Sequence, residues 1–413
     1  MVTKEHFGIP KRYNTIALGL MGVGILSIII LYFTHGATSG TSDEAAHERA
    51  RFWASLLQNS VYFLLIVNAA MFFICATTLA WGGFQISFSR VSEAISACVP
   101  VIGVITFLIL MALVFGGDHV IYHWTDAEHV KTDAVLNAKK GFLSKGFYAI
   151  WSFITIAGWS FLGWKVRQRS RSIDNQPLSL GEAKKYIWDN TVWAAVFLAL
   201  FGLTVMSSIP WFWLMSLDAH WYSTMFSWYT FASSFVAGMA LITLFVVFLK
   251  NNGYLQYTTT EHIHDLGKFQ FAFSIFWTYL WYSQFMLIWY ANIPEETTYY
   301  EPRMQGVYRG IFLFNLVINF LAPLLILMRR GSKRNYGTIT IMSVVIIFGH
   351  WLDFYQMVFP SISRDHVPFM LADFGIGLGF VGLIMFVTAK ALTKASLVPI
   401  NHPFLKESII HHT

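Results

Sequence analysis

The sequence predicts an all-α integral membrane protein with ten transmembrane helices. Hydrophobic residues make up 56% of the 413 residues, charged residues only 12%, and the mean hydropathy is +0.54. Soluble domains carry roughly a quarter charged residues, so this composition excludes an ordinary soluble fold. Apolar stretches long enough to cross a hydrocarbon core of about 30 Å occur ten times, and basic residues recur in alternate loops.

Short polar loops separate the ten predicted spans. Their limits are 13–34, 52–80, 92–116, 146–167, 190–215, 224–249, 264–292, 305–328, 337–359 and 369–393. We expect the first span to be retained, since no small-residue cleavage site follows it. Both cysteines, Cys75 and Cys98, lie inside apolar segments, which excludes a disulfide framework and a CxxCH haem attachment.

The distribution of Lys and Arg predicts the orientation. Both chain ends and the stretches "KVRQRSR" and "RRGSKR" fall on one side of the ten spans, whereas "SDEAAHERAR" and "PEETTYYEPR" on the other side are mixed or acidic. The positive-inside rule therefore places both termini in the cytoplasm. The net charge of +6 is then a topology signal, and we expect no nucleic-acid partner.

A shift of four spans predicts two four-helix bundles, at 52–215 and 224–359, with 13–34 and 369–393 as flanking helices. Both sets of four spans have a basic loop between their third and fourth members. Both also end in a polar aromatic cluster, "LDAHWYS" in the first and "GHWLDFY" in the second. Such a repeat is typical of parallel helical bundles.

Four ionisable residues inside the predicted spans lie toward the outer side: Arg309, His350, Asp353 and Asp373. Such groups are costly in hydrocarbon and usually face a cavity or a partner. At 1.5 Å per residue, His350 lies about 21 Å from the inner end of its span. Asp353 follows one turn later on the same helical face.

These residues support two interpretations. Oxidation of a hydroquinone releases protons, so a quinol pocket needs a base such as His350 and carboxylates such as Asp353 and Asp373. Alternatively, Asp353 pairs with Arg309 and His350 makes a polar contact between helices. The residue types alone leave both open.

Polar clusters at the span ends have two interpretations as well. Asp218 and His220, next to Trp221 on the outer side, belong to a quinol site or anchor the chain at the interface, and anchoring is favoured. Five residues on the inner side either take up protons or begin helices whose ends lie in water, and the second interpretation is favoured. They are Glu261, His262, His264, Asp265 and Asp189.

The spans lack the paired interior histidines that a membrane cytochrome b needs for haem iron, and no carboxylate lies at mid-membrane. We therefore expect any haem or iron–sulfur centre on partner subunits.

Three stretches resemble a known family. They are "HDLGKFQFAFSIFWTYLWYSQFMLIWYANIPEET" from His264, "LDAHWYSTMFSWYTFASSF" from Leu217 and "GHWLDFYQMVFP" from Gly349. They look like the second quinone-binding (F-type) membrane subunit of bacterial alternative complex III, within the polysulfide-reductase membrane-anchor family. The likeness covers most of spans five to ten, while spans one to four match mainly in layout.

The resemblance implies a subunit of a respiratory complex in the bacterial cytoplasmic membrane that oxidises quinol, menaquinol included, and reduces cytochrome c or a terminal oxidase. Expected partners are an iron–sulfur subunit, multihaem and monohaem cytochrome c subunits, a paralogous ten-helix quinol-binding subunit, and lipids. The outer quinol pocket of the family maps to His350, Asp353 and Asp373. The resemblance also implies that the paralogue is the stronger quinol candidate, and the alternative role expected for this chain is to conduct protons or to serve as a structural counterpart.

Two other functions remain open at this point. Ten spans with a repeat also suit a secondary transporter, although such proteins usually show inverted repeats and broken helices. A purely structural membrane anchor of the same complex is the third alternative.

Overall fold

The computed structural model describes residues 5–38, 40, 42–117, 119–362 and 370–412, and all regular secondary structure in them is helical. The ten principal helices are α1 Lys11–Leu31, α2 Asp43–Leu79, α3 Val99–Phe115, α4 Lys145–Ser172, α5 Leu180–Leu203, α6 Met225–Asn251, α7 Thr260–Ala291, α8 Tyr308–Leu316, α9 Tyr336–Ile362 and α10 Leu371–Leu392. Helix α3 follows a shorter helix, Ser89–Ser96. Helix α8 continues through a π-helical segment, Val317–Leu321, into Ala322–Leu327.

An all-α membrane protein is confirmed, whereas the count of ten spans stays a prediction. Nine of the described helices are long and apolar enough to cross a membrane, and α7 is the principal helix outside that set. Helix α7 has 32 residues, about 48 Å at 1.5 Å per residue, so its length suffices. Its hydropathy is lowered by the polar and aromatic residues of "HDLGKFQFAFSIFWTYLWYSQ".

Local sequence signals fix several helix ends. The Ser42 hydroxyl accepts from the Ala45 amide at the start of α2, and Ser179 with Glu182 forms a capping box at the start of α5. These contacts satisfy amides that have no partner within the helix. Asn292 ends α7 in the left-handed conformation with φ 48°, which Asn tolerates better than most residues.

The helices pack as two rings of four. Helices α2 to α5 contact one another in chain order, and α5 closes the ring against α2. Helices α6 to α9 do the same, with α9 against α6. The rings meet where α2 packs on α6 and α9. Their helices span 43–203 and 225–362, and the predicted bundle limits of 52–215 and 224–359 stay a prediction.

Helices α1 and α10 pack together beside the rings through glycine. A Cβ on Gly379 would lie 2.6 Å from Gly24 Cα, so the two backbones touch only because neither residue has a side chain. Close approach through small residues is a common basis of helix association in lipid. Helix α10 also contacts α2 and the short helix before α3.

We call the side of the molecule that carries both chain ends the terminal face, and the opposite side the far face. The amide of Leu397 donates to the Glu5 carbonyl at 2.9 Å, which joins the two chain ends. Helix α9 runs from the terminal face at Tyr336 to the far face at Ile362.

Candidate functional site

A fully buried carboxylate, Asp353, lies inside the second ring. Its Oδ1 accepts from the Tyr229 hydroxyl and from Asn315 Nδ2, the latter at 2.7 Å. Its Oδ2 accepts from Ser233 Oγ and Trp277 Nε1, each at 2.8 Å. Four donors match the lone pairs that a carboxylate offers. All four donors are neutral side chains.

Ser233 links this carboxylate to His350. The Ser233 hydroxyl lies 2.9 Å from His350 Nδ1 and 2.8 Å from Asp353 Oδ2. His350 is fully buried and meets the Trp277 ring edge to face, with centroids 5.3 Å apart. Its other ring nitrogen, Nε2, has no hydrogen-bond partner among the described residues. One hydroxyl thus bridges an imidazole and a carboxylate.

The cluster is part of a longer row of buried polar groups inside the second ring. Asn319 Nδ2 donates to Asn315 Oδ1 at 2.5 Å. Toward the terminal face, Gln270 Nε2 donates to Thr243 Oγ1 at 2.8 Å and to Ser343 Oγ at 3.1 Å. We name the polar row by its members: Thr243, Gln270, Ser274, Ser343, His350, Ser233, Asp353, Asn315 and Asn319.

Gly349, the first residue of "GHWLDFYQMVFP", makes room for this row. A Cβ at that position would lie 2.1 Å from Asn319 Oδ1. Glycine at this position leaves room for the Asn319 side chain of α8 against α9. Since π-helical turns often mark functional positions, the contact joins two unusual local features at one site.

The cavity beside the cluster is small. It lies between Tyr229, Gln284, Asn315 and Gln356 and has a volume of about 10 Å³, about enough for one water molecule. Pockets for small molecules usually measure 300–1,000 Å³. A quinol ring therefore does not fit beside Asp353 in this arrangement.

Of the second interpretation, the ion pair between Arg309 and Asp353 is wrong, whereas the polar contact of His350 with another helix is present, through Ser233 of α6. Arg309 is exposed, while Asp353 is fully buried among neutral donors. The buried arginine near this end of α9 is Arg303, which is 2% exposed. Sequence analysis missed it, although Pro360 inside α9 signalled that a carbonyl one turn earlier needs an outside donor.

Arg303 supplies that donor. Its Nε donates to the Gln356 carbonyl at 2.8 Å and its Nη2 to the Met357 carbonyl at 3.1 Å. It also donates to the Tyr299 carbonyl and lies over the Tyr299 ring, 3.4 Å from the centroid. Gln356 is the residue whose carbonyl Pro360 leaves without an amide. Arg303 therefore caps the far-face end of α9.

Asp373 belongs to a different cluster from His350 and Asp353. Its Oδ2 lies 2.8 Å from Arg51 Nη2, and its Oδ1 accepts from Ser55 Oγ at 2.8 Å. The structure therefore does not bring the three proposed quinol-site residues together. We placed Arg51 in a loop because the predicted span began at 52, but α2 begins at Asp43.

The outer-loop residues Asp218 and His220 lie at the far face. His220 Nε2 is 2.6 Å from Asp133 Oδ2. The Leu136 amide and then the His220 side chain hold the pKa of Asp133 below its usual range. Neighbouring Trp221 stacks on Tyr299 with centroids 4.2 Å apart. The cluster ties the far-face loops together.

The terminal-face candidates are engaged in ion pairs and caps. Asp265 contacts Lys268 Nζ and His411 Nε2, each at 2.5 Å, and His264 Nδ1 at 3.9 Å. His262 accepts from the Thr259 amide at 2.9 Å. The remaining two are paired with arginines: Glu261 with Arg334, and Asp189 with Arg169 at 3.1 Å.

Fold and site together define a class: an all-α, multi-pass membrane protein with a buried carboxylate network in its second helical ring. No protein-family model matches the sequence, and no curated protein matches it either. The likeness of the three quoted stretches to the alternative complex III subunit therefore stays a prediction.

Proposed function

We propose that the chain is a cofactor-free membrane subunit of a quinol-oxidising respiratory complex, and that its second ring transfers protons. The observation that supports this most directly is the Ser233 hydroxyl, which bridges His350 Nδ1 and Asp353 Oδ2. A base, a hydroxyl and a carboxylate in contact form a proton relay.

The relay needs one proton delivered to His350 Nε2, and its later steps balance within the chain. A proton arriving at Nε2 makes His350 an imidazolium, which gives its Nδ1 proton to the Ser233 oxygen. Ser233 passes its own hydroxyl proton to Asp353 Oδ2. The hydroxyl is restored and Asp353 holds one proton; two of its hydrogen-bond partners, Tyr229 and Asn315, line the small cavity. The unpartnered Nε2 is the entry position.

The size of the small cavity beside the cluster bears on where quinol is oxidised. Because a quinol ring does not fit there, we assign quinol oxidation to the paralogous subunit and proton transfer to this chain. In this proposal the terminal face is cytoplasmic, the membrane is the bacterial cytoplasmic membrane, and electrons leave through iron–sulfur and cytochrome c subunits toward a terminal oxidase.

The test is a Ser233→Ala variant of the intact complex, assayed for quinol oxidation and for proton release in proteoliposomes. We expect a loss of about tenfold or more in proton-coupled turnover, and rescue by Ser233→Thr. Ser234→Ala is the matched control, since the Ser234 hydroxyl bonds only the Phe231 carbonyl within α6. Wild-type turnover in Ser233→Ala would refute the relay.

Purification separates the other functions. A complex that contains haem and iron–sulfur partners supports the respiratory assignment, whereas a chain that purifies alone supports a transporter. If Ser233→Ala assembles fully and turns over normally, the chain is a structural anchor.

A further inference from the structure

A buried ion network lies at the terminal face of the first ring. It joins Arg90 and Glu93, on the short helix Ser89–Ser96, to the terminal-face end of α4. Arg90 and Glu93 are each only 4% exposed. None of the residues of the polar row lines the small cavity inside this network. The inference below therefore does not depend on the proposed proton relay.

Arg90 uses only part of its hydrogen-bonding capacity. Its Nη2 donates to the Ser170 carbonyl and to Asp174 Oδ1, each at 2.7 Å. Its Nε and Nη1 are buried and have no hydrogen-bond partner in the part of the chain that the structure describes. Buried polar atoms in native proteins are nearly always bonded, to protein or to ordered water. Arg90 therefore needs a further acceptor.

Two neighbouring side chains have the same need. Glu93 Oε2 and Arg171 Nε are also buried and without a hydrogen-bond partner among the described residues. Arg90 Nε lies 3.7 Å from Glu93 Oε2, whereas an N–H···O bond is at most about 3.2 Å long. The opposite charges of Arg90 and Glu93 thus attract each other, but these two atoms make no direct hydrogen bond.

Arg90, Glu93 and Arg171 line one small cavity. The rest of its lining comes from Ala94, from the end of α10 and from the segment that follows α10. The volume of about 10 Å³ is about that of one water molecule on this measure, and polar cavities of this size hold water. A phosphate group is too large for it.

The unpartnered atoms around the cavity indicate which small occupant it takes. Three of them are nitrogens that donate, and the fourth, Glu93 Oε2, is an oxygen that accepts. Water can accept from arginine and donate to a carboxylate at the same time. A chloride ion would accept from the arginines, but it would lie against Glu93 Oε2 and offer that oxygen no hydrogen. The carboxylate therefore favours water.

We propose that this cavity binds one ordered water molecule. The water accepts from Arg90 and Arg171 and donates to Glu93 Oε2. It joins the short helix before α3 to the end of α4 by hydrogen bonds that the side chains do not make directly.

Cryo-electron microscopy of the full chain, purified with any partner subunits and at a resolution that shows ordered water, tests this site. We expect one density peak within about 3.2 Å of Glu93 Oε2, Arg171 Nε and a nitrogen of Arg90. Asp174→Asn is the control and should keep the peak, because Asp174 bonds Arg90 but does not line the cavity. A cavity without a peak in the wild type would overturn the proposal.

Two substitutions of Glu93 separate water from chloride. Glu93→Gln keeps an oxygen that accepts and should keep the peak, whereas Glu93→Leu has no acceptor and should lose it. Both remove the negative charge, so an anion would bind to either variant at least as tightly as to the wild type. A peak that persists in Glu93→Leu would therefore refute the water site.

The wild type offers an independent comparison. Its unfolding temperature should be the same in sodium chloride and in sodium gluconate of equal ionic strength. A higher unfolding temperature in chloride that Arg171→Gln abolishes would show that the site holds an anion and would overturn the proposal.

Discussion

Replacing Arg303 by methionine should remove the cap at the far-face end of α9. Methionine keeps an unbranched side chain of similar length but has no hydrogen to donate. The carbonyls of Tyr299 and Gln356 then lose their donor, whereas the Met357 carbonyl still has the Ser361 amide within α9. A buried polar group without a partner costs about 1–3 kcal/mol, so Arg303→Met should lower the free energy of unfolding by about 2–6 kcal/mol.

Pro360 makes this prediction specific. Pro360→Ala supplies an amide that can reach the Gln356 carbonyl within α9. In the wild type that carbonyl already accepts from Arg303 at 2.8 Å, so Pro360→Ala alone should change stability by less than about 1 kcal/mol. In the Arg303→Met background it should restore about 1–3 kcal/mol, the share of one carbonyl.

The assay is equilibrium unfolding of the four proteins of this double-mutant cycle in mixed micelles, followed by tryptophan fluorescence. Arg309→Met is the control, since Arg309 is exposed nearby and surface changes usually stay within about 0.5 kcal/mol. Pro360→Ala should raise the free energy of unfolding more in the Arg303→Met background than in the wild type. If the two increases are equal, Arg303 does not stabilise α9 through its hydrogen bond to the Gln356 carbonyl.

Two further predictions concern other parts of the chain. Gly379→Ala should destabilise the α1–α10 pair by about 1–3 kcal/mol, because its Cβ would lie 2.6 Å from Gly24 Cα. Gly22→Ala is the control and should leave the pair stable, because the space around its Cβ is open. Equal thermal unfolding temperatures of the two variants would contradict the close contact. Burial, and then the nearby Arg90, lower the pKa of His402 to about 4, below the ordinary value of about 6.5. Between those values the unfolded chain binds a proton that the folded chain does not, so stability should fall as pH drops from about 6.5 to 4. His402→Asn should flatten this dependence of the unfolding temperature on pH, and identical slopes would show that His402 does not cause it.

Within the candidate site, the local part was predictable and the partners were not. The three-residue spacing of His350 and Asp353 placed them on one face of α9, and the structure joins them through Ser233. Tyr229 and Ser233 share a four-residue spacing on α6 that indicates a common face. The spacing alone does not indicate that this face of α6 contacts α9.

The polar partners of Asp353 come from three other helices, up to 124 residues away in the chain. Arg51 and Asp373 are 322 residues apart, and no local pattern connects them. In a soluble protein the apolar stripe of each helix would show which face turns inward. In a membrane, lipid and protein interior are both apolar, so this signal is weak.

The sequence by itself determined the class of the protein and the placement of its helices. Length and hydropathy are enough for that, because the hydrocarbon core sets the length of an apolar span and leaves backbone groups no partner outside the helix. Only the tertiary structure decided that Asp353 has four neutral donors, that Asp373 pairs with Arg51, and that Arg303 caps α9. Those choices depend on how each helix is rotated about its axis, and packing against neighbouring helices fixes that rotation.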